Sequence, residues 1–176
     1  MENTSRDILF QIGIALDLPD LLRLCQSNKE INRKLCQQNA IWYYRLRKDF
    51  NEYLDWNKYP KFKPIFEKSK REYYIFLYKL NKIKTVWNLT DNLYQLYYLQ
   101  GLDLTYKLIK IIPKEIGQLN NLKVLHLNNN QIENIPKEIS HLKNLRELYL
   151  SNNPIEDKEE VERWIRERIP DVKIEI

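Results

Sequence analysis

The chain has 176 residues, 43% hydrophobic and 30% charged, which suits one globular domain or two small ones. Its net charge of +5 is uneven: residues 41–85 hold twelve basic against five acidic residues, 1–40 are balanced, and 86–176 hold twelve against fourteen. No long uncharged apolar run occurs, which argues against a transmembrane helix, and the polar opening Met1 to Asp7 with no apolar core behind it argues against secretion.

In chain order, Ile8, Leu9, Ile12 and Leu16 fall at helical spacing, with Thr4 or Ser5 placed to cap the start and Asp7 favouring the first turn. Asp17-Leu18-Pro19-Asp20 ends that helix and opens a second through Leu21, Leu22 and Leu24. Asn28 can cap a third carrying Ile31 and Leu35, and Ile41, Trp42, Leu46 and Phe50 mark a fourth. Cys25 and Cys36 lie in this helical region with no histidine nearby, so they read as free thiols in a reducing compartment.

These residues resemble an F-box. Asp7-Ile8-Leu9 stands where that family has Glu-Ile-Leu. Leu16-Asp17 followed by Asp20-Leu21-Leu22-Arg23-Leu24 matches its central core, and Ile41-Trp42 its closing aliphatic-tryptophan pair. Thr4-Ser5, Ser27 and Ile31 depart from the pattern. The resemblance implies that residues 1–50 form a helical bundle docking on a Skp-type adaptor through Ile8, Leu9, Leu16, Leu18, Pro19, Leu21, Leu22, Leu24 and Trp42.

Residues 51–71 read as a linker with Pro60 and Pro64, in which Tyr53, Trp56, Tyr59, Phe62 and Phe66 alternate with lysines. Basic residues mixed with aromatics can grip single-stranded nucleic acid. The competing reading, favoured because no stacking motif of a known nucleic-acid module occurs, is that the aromatics wedge the bundle against the C-terminal half while the lysines coat the surface. Tyr73, Ile75, Phe76, Leu77, Leu80 and Ile83 then return to helical spacing. Arg71 to Ile75 with Leu77 to Leu80 resembles the helix that follows F-box motifs in proteins of giant DNA viruses of amoebae, and the abundance of Asn, Lys, Ile and Tyr fits an AT-rich genome of that kind.

From Leu99 a period governs the chain. Leu99-x-x-Leu102-x-Leu104 recurs as Leu122-x-x-Leu125-x-Leu127 and Leu145-x-x-Leu148-x-Leu150, each 23 residues after the last. Between the triplets, Ile109, Ile112, Pro113, Ile116 and Leu119 recur as Ile132, Ile135, Pro136, Ile139 and Leu142. The leucine half alternates as a strand with one buried face does; the proline half suits an extended segment or a helical turn. Asn130 and Asn153 share one register position, where a buried amide can satisfy backbone groups left open by an inward turn, and Lys107 stands there in the first unit. Half a unit (Val86, Leu89, Leu93, Leu96) precedes the first, without its strand, because Lys79 and Asn81 replace the leucines. After the third, Val161, Trp164 and Ile165 mark one face of a helix from about Glu156, with Trp164 read as core. Ile169-x-x-Val172-x-Ile174 then marks a last strand.

This pattern resembles the leucine-rich repeat family, which implies a solenoid with a parallel sheet on its concave side, used to bind proteins. The expected class is mixed α/β (α+β): an all-helical F-box-like bundle at 1–50, a basic aromatic linker and helix at 51–85, and a capped repeat solenoid at 86–176. Strand residues between the buried leucines form columns across the sheet: Gly101, Val124, Glu147; Asp103, His126, Tyr149; Thr105, Asn128, Ser151. Target binding is assigned to Asp103, Thr105, Val124, His126, Asn128, Glu147, Tyr149 and Ser151, and the structural ladder to Asn130 and Asn153. No phosphate-cradling loop, metal cluster or nucleophile elbow is found, so no enzyme activity, metal, cofactor or small-molecule substrate is expected. The leading expectation is an intracellular, cytoplasmic adaptor (host cytoplasm if viral) recruiting a protein target to a Skp–cullin–F-box ubiquitin ligase. The alternatives are a plain interaction scaffold and nucleic-acid binding through residues 51–71.

Overall fold

A computed structural model describes residues 2–176, with side chains described from Asp7 onward. They divide into two compact units, Met1–Leu77 and Tyr78–Ile176. Among the described residues no helix is long and apolar enough to cross a membrane.

In the first unit α1 spans Glu2–Ala15; the side chains of Thr4 and Ser5, expected as its cap, lie outside the described residues. Asp17 caps α2 (Leu18–Ser27), its Oδ1 accepting from the Asp20 N–H at 2.8 Å, and Pro19 sits in the first turn, where no N–H is needed. Asn28 likewise caps α3 (Lys29–Ile31), accepting from the Glu30 and Ile31 N–H groups, and the chain continues as a π-helical turn over Asn32–Cys36. α4 (Asn39–Asp49) buries Ile41, Trp42, Arg45 and Leu46. The Trp42 indole N–H donates to the Cys36 carbonyl at 2.7 Å, so the core tryptophan also closes the π turn.

The free-thiol expectation is overturned here. Cys25 and Cys36 are joined by a disulfide, and both are buried. The π turn packs against α2 and brings the two Cα atoms to 6.0 Å, within the span a disulfide bridges. A separation of 11 residues carries no such hint, and the thiol argument for a reducing compartment falls with it.

Residues 51–71 are ordered in the same unit, as short 3₁₀ turns at Asn51–Leu54 and Pro60–Phe62 and as α5 (Lys63–Lys68). Tyr53, Tyr59 and Phe62 are buried beside Tyr73 of α6 (Lys70–Val86). Trp56 and Phe66 lie 5.0 Å apart between centroids, and Phe62 meets Phe76 edge to face at 5.2 Å. The aromatic faces that nucleic-acid stacking would need are turned into this cluster.

Among the described residues of this unit one cation, Arg45, is buried. Arg45 donates to the carbonyls of Gly13 and Leu16, both at 2.9 Å, taking up open acceptors at the end of α1, and to the Tyr74 hydroxyl at 3.2 Å. Tyr74 in turn donates to Asp49. Burial first, and then that bond to Asp49, pushes the Tyr74 phenol up to about 12.

The second unit is built on repetition. Four short parallel strands, β1 (Gly101–Asp103), β2 (Val124–His126), β3 (Glu147–Tyr149) and β4 (Lys173–Glu175), pair in chain order. The register sets Leu102, Leu125, Leu148 and Ile174 side by side, the first three buried. Opposite the strands, Pro113 and Pro136 each open a 3₁₀ turn, Lys114–Gln118 and Lys137–His141. The turns pack closely: a Cβ on Gly117 would stand 3.0 Å from the Glu138 carbonyl of the next repeat. One repeat alone cannot offset the ordering of its backbone; stacking lets each bury its leucines on the next.

At the ends the register holds less well. Leu93 and Leu96 are buried on α7 (Leu93–Tyr98), which Asn92 and Gln95 cap reciprocally. Val86, expected among the buried residues, is exposed: α6 continues to that point, and Trp87 is buried instead, its indole N–H donating to the Ile111 carbonyl at 3.1 Å. At the other end Asp157 caps α8 (Lys158–Arg168), whose first turn is acidic and last turn basic, in accord with the helix dipole. Ile165 is its buried residue. Trp164, expected as core, is half-buried, with the Arg168 guanidinium 5.1 Å above its ring.

Candidate functional site

Strand alternation turns Leu102, Leu125 and Leu148 inward and puts their neighbours on the open face of the sheet. One row reads Gly101, Val124, Glu147 and Lys173; the next reads Asp103, His126, Tyr149 and Glu175. A third continues past the strands, where Tyr106 and Asn129 donate their N–H groups to the carbonyls of Asn128 and Ser151.

These side chains are organised among themselves. The His126 and Tyr149 rings stack with centroids 4.5 Å apart and planes within 3°. The Tyr149 hydroxyl donates to Glu147, and the Lys173 ammonium stands 5.5 Å over the Tyr149 ring. The bond to Glu147 raises the Tyr149 phenol above its usual range, since it favours the protonated form. Ser151 donates to Glu175 at 2.9 Å. Asp103 accepts from the Thr105 N–H at 2.9 Å, and the backbone and hydroxyl of Thr105 hold its carboxyl below the ordinary aspartate value. The result is a two-ring stack set between Asp103 and Glu175 in the row, with Glu147 on the Tyr149 hydroxyl and Lys173 over the Tyr149 ring. Such a surface offers ring edges, carboxylates and one ammonium to a partner. Among the described residues no group of three or more His, Cys, Asp or Glu side chains is arranged to hold a metal ion.

Lys173 and Glu175 extend this face beyond the residues assigned from sequence. Their signal was present: they are the alternate positions of the final Val172-x-Ile174 strand. Behind the face, Asn130 is buried and makes five hydrogen bonds. Its Oδ1 accepts from the Lys107 and Ile109 N–H groups at 3.0 Å, and its amide donates to the carbonyls of Leu104, Leu127 and Asn128. Asn153 accepts from Ile132 and donates to the carbonyls of Leu127 and Leu150.

In the first unit the nine residues assigned to adaptor docking do not form one surface. Leu18, Leu21 and Trp42 are in the core, at 3%, 0% and 1% exposure. Leu9, Leu16, Leu22 and Leu24 are half-buried, while Ile8 and Pro19 are exposed. Ile12, not assigned from sequence, is exposed as well.

The family profile described as leucine rich repeat matches residues 97–155. That stretch carries leucine-rich repeats. The matched span holds β1 to β3, both 3₁₀ turns, Asn130 and Asn153. Among solved structures the chain is similar to an LRR protein of Leptospira interrogans, with 50% identity and a TM-score of 0.35 over 39% of this chain and 17% of that one. The chain thus spans less than a fifth of that protein's length. No curated protein matches the chain.

Proposed function

We propose that the chain is a protein-interaction adaptor, the open face of its repeat sheet holding a target while the first unit docks on the Skp-type component of a ubiquitin ligase. The His126–Tyr149 stack among three carboxylates carries this reading: an ordered, half-buried polar and aromatic row on the open face of the sheet. The chain breaks and makes no bond in this role; it raises the concentration of target near the ligase. Support for the docking half is the F-box resemblance together with exposed Ile8 and Ile12 on α1.

A pull-down with purified Skp-type protein tests it. Because such a ligase works in a reducing compartment, binding is measured with the Cys25–Cys36 bond reduced. The expected result is capture by the native chain and loss on Ile8→Asp with Ile12→Asp. No capture refutes the docking half. Replacing Leu21 would not discriminate, because a charge at a fully buried position unfolds the unit. A scaffold with no ubiquitin role is the second reading, favoured by the burial of Leu18, Leu21 and Trp42, which gives those residues a structural task without any partner.

A further inference from the structure

The three repeats serve as controls for one another. At the turn after each strand, the second repeat places Asn129, Gln131 and Asn134, and the third Asn152, Pro154 and Asp157. The first places Tyr106, Leu108 and Ile111 there, exposed by 73%, 71% and 67%. Backbone conformation does not favour the exchange. Asn129 and Asn152 sit at φ 56° and 58°, in the left-handed region that asparagine tolerates, and Tyr106 holds the same place at 59°. Leu108 is left-handed too, at 56°. Charge changes with it: residues 106–114 carry Lys107, Lys110 and Lys114 and no carboxylate, whereas 152–160 carry four carboxylates and one lysine.

Leu108 and Ile111, with Lys107 and Lys110, border a groove of about 690 Å³, together with Trp87, Leu89 and the Leu102–Leu104 segment. That segment is an edge. The Val124 N–H donates to the Gln100 carbonyl and the Leu104 N–H to the His126 carbonyl, so by the alternation of a parallel ladder Gly101 and Asp103 point their backbone groups away from β2. No strand pairs with β1 on that side among the described residues, and a Cβ on Gly101 would meet nothing within 4 Å. The strand that the 23-residue frame would place there is missing, because Lys79 and Asn81 lie in α6.

We propose that this groove takes an extended segment of a partner protein. Its main chain pairs with the free edge of β1 as an added strand, an aliphatic side chain packs against Leu108 and Ile111, and a carboxylate meets Lys107 and Lys110. Asp91 and Asp103 also border the groove, so the acidic end of the segment lies on the lysine side. A concave apolar lining beside an unpaired strand suits a peptide; a bilayer would use neither. Of the sheet-face side chains only Asp103 also borders this groove, and the pairing along β1 does not depend on what that face binds.

The test uses the full chain, ¹⁵N-labelled, with the synthetic peptide Leu-Thr-Thr-Leu-Thr-Leu-Glu-Glu and its counterpart ending in Lys-Lys. The acidic peptide should bind saturably by fluorescence anisotropy and slow amide exchange at Gly101 and Asp103, leaving β4 unchanged. The Lys-Lys peptide should bind about tenfold more weakly or worse. The double variant Leu108→Gln, Ile111→Asn carries the residues the second repeat has at those places, so it should fold, as circular dichroism will show. It should lose binding by about tenfold or more. Unchanged exchange at Gly101 and Asp103, equal binding of both peptides, or protection at His126 and Tyr149 instead would overturn the proposal. Self-association, or binding to phosphatidylserine vesicles, that vanishes in the double variant would assign the groove to a second copy or a membrane and overturn it as well.

Discussion

The two units hold their chains by opposite strategies. In the second, one contact set is used again and again: a buried leucine beside its copy in the next strand, an asparagine closing the turn, a proline opening the 3₁₀ turn. In the first, among the described residues, each contact occurs once: one buried arginine, one disulfide, one aromatic cluster around Tyr73. A repeated contact tolerates imperfection at the ends, as Lys107 in an asparagine position shows. Its N–H is satisfied by Asn130 of the following repeat. A contact used once has no neighbour to cover for it.

The sharpest way to break the repeated set is at its centre. Asn130→Ala removes five hydrogen bonds and strands buried N–H and carbonyl groups, so it should cost roughly 4 kcal/mol. Asn153→Ala, with three bonds, should cost less, and the difference is read as the shift in urea midpoint at constant m. Equal losses would mean that the amide acts through packing alone.

In the first unit the matching lesion is Arg45→Met, which keeps most of the volume but leaves the Gly13 and Leu16 carbonyls and the Tyr74 hydroxyl without their donor. The expected loss is about 3 kcal/mol, visible as a lowered urea midpoint. Tyr74 adds a pH signature. Its phenol titrates at about 12 in the folded chain against an ordinary value near 10. The unfolded chain therefore releases this proton first, and the stability tied to Tyr74 is intact below the ordinary value and drains away as pH rises through the folded one. Tyr74→Phe should flatten that alkaline decline in denaturant titrations. Removing the disulfide with Cys25→Ala and Cys36→Ala closes the series for this unit, at about 2 kcal/mol for a cross-link over a short loop.

The same contrast explains what could be read from the sequence. Strand positions, sheet rows and the asparagine places of the repeats follow from a period, because the leucine triplet is announced three times and the asparagine and the proline half twice each. The four helix segments of residues 1–50 were legible from caps such as Asp17 and Asn28, whose bonds are local. Arg45 was not, since its partners lie 29 and 32 residues away with no pattern to join them. The Cys25–Cys36 bond depended on a π turn that no spacing rule signals. On the sheet face, Lys173 and Glu175 were missed because β4 pairs with β3 at an offset of 26 residues, three beyond the 23-residue period, whereas the Ile169-x-x-Val172-x-Ile174 triplet matches the third repeat at 24 and would set Val172, not Ile174, beside Leu148.

The smallest effect, and the only expected gain, comes from making the first repeat more like the others. Tyr106 holds a left-handed backbone at φ 59°, where Asn129 and Asn152 hold the same conformation in the next two repeats. A tyrosine pays for that conformation in clashes between Cβ and carbonyl; an asparagine pays less. With 73% of its surface exposed, the ring returns little packing to offset the strain. Tyr106→Asn should therefore raise stability by about 1 kcal/mol, read as a higher urea midpoint with m unchanged. If the variant is instead less stable, the ring must be making up the difference by packing on its own repeat. The exposed residues of this turn would then belong to the fold as much as to any partner.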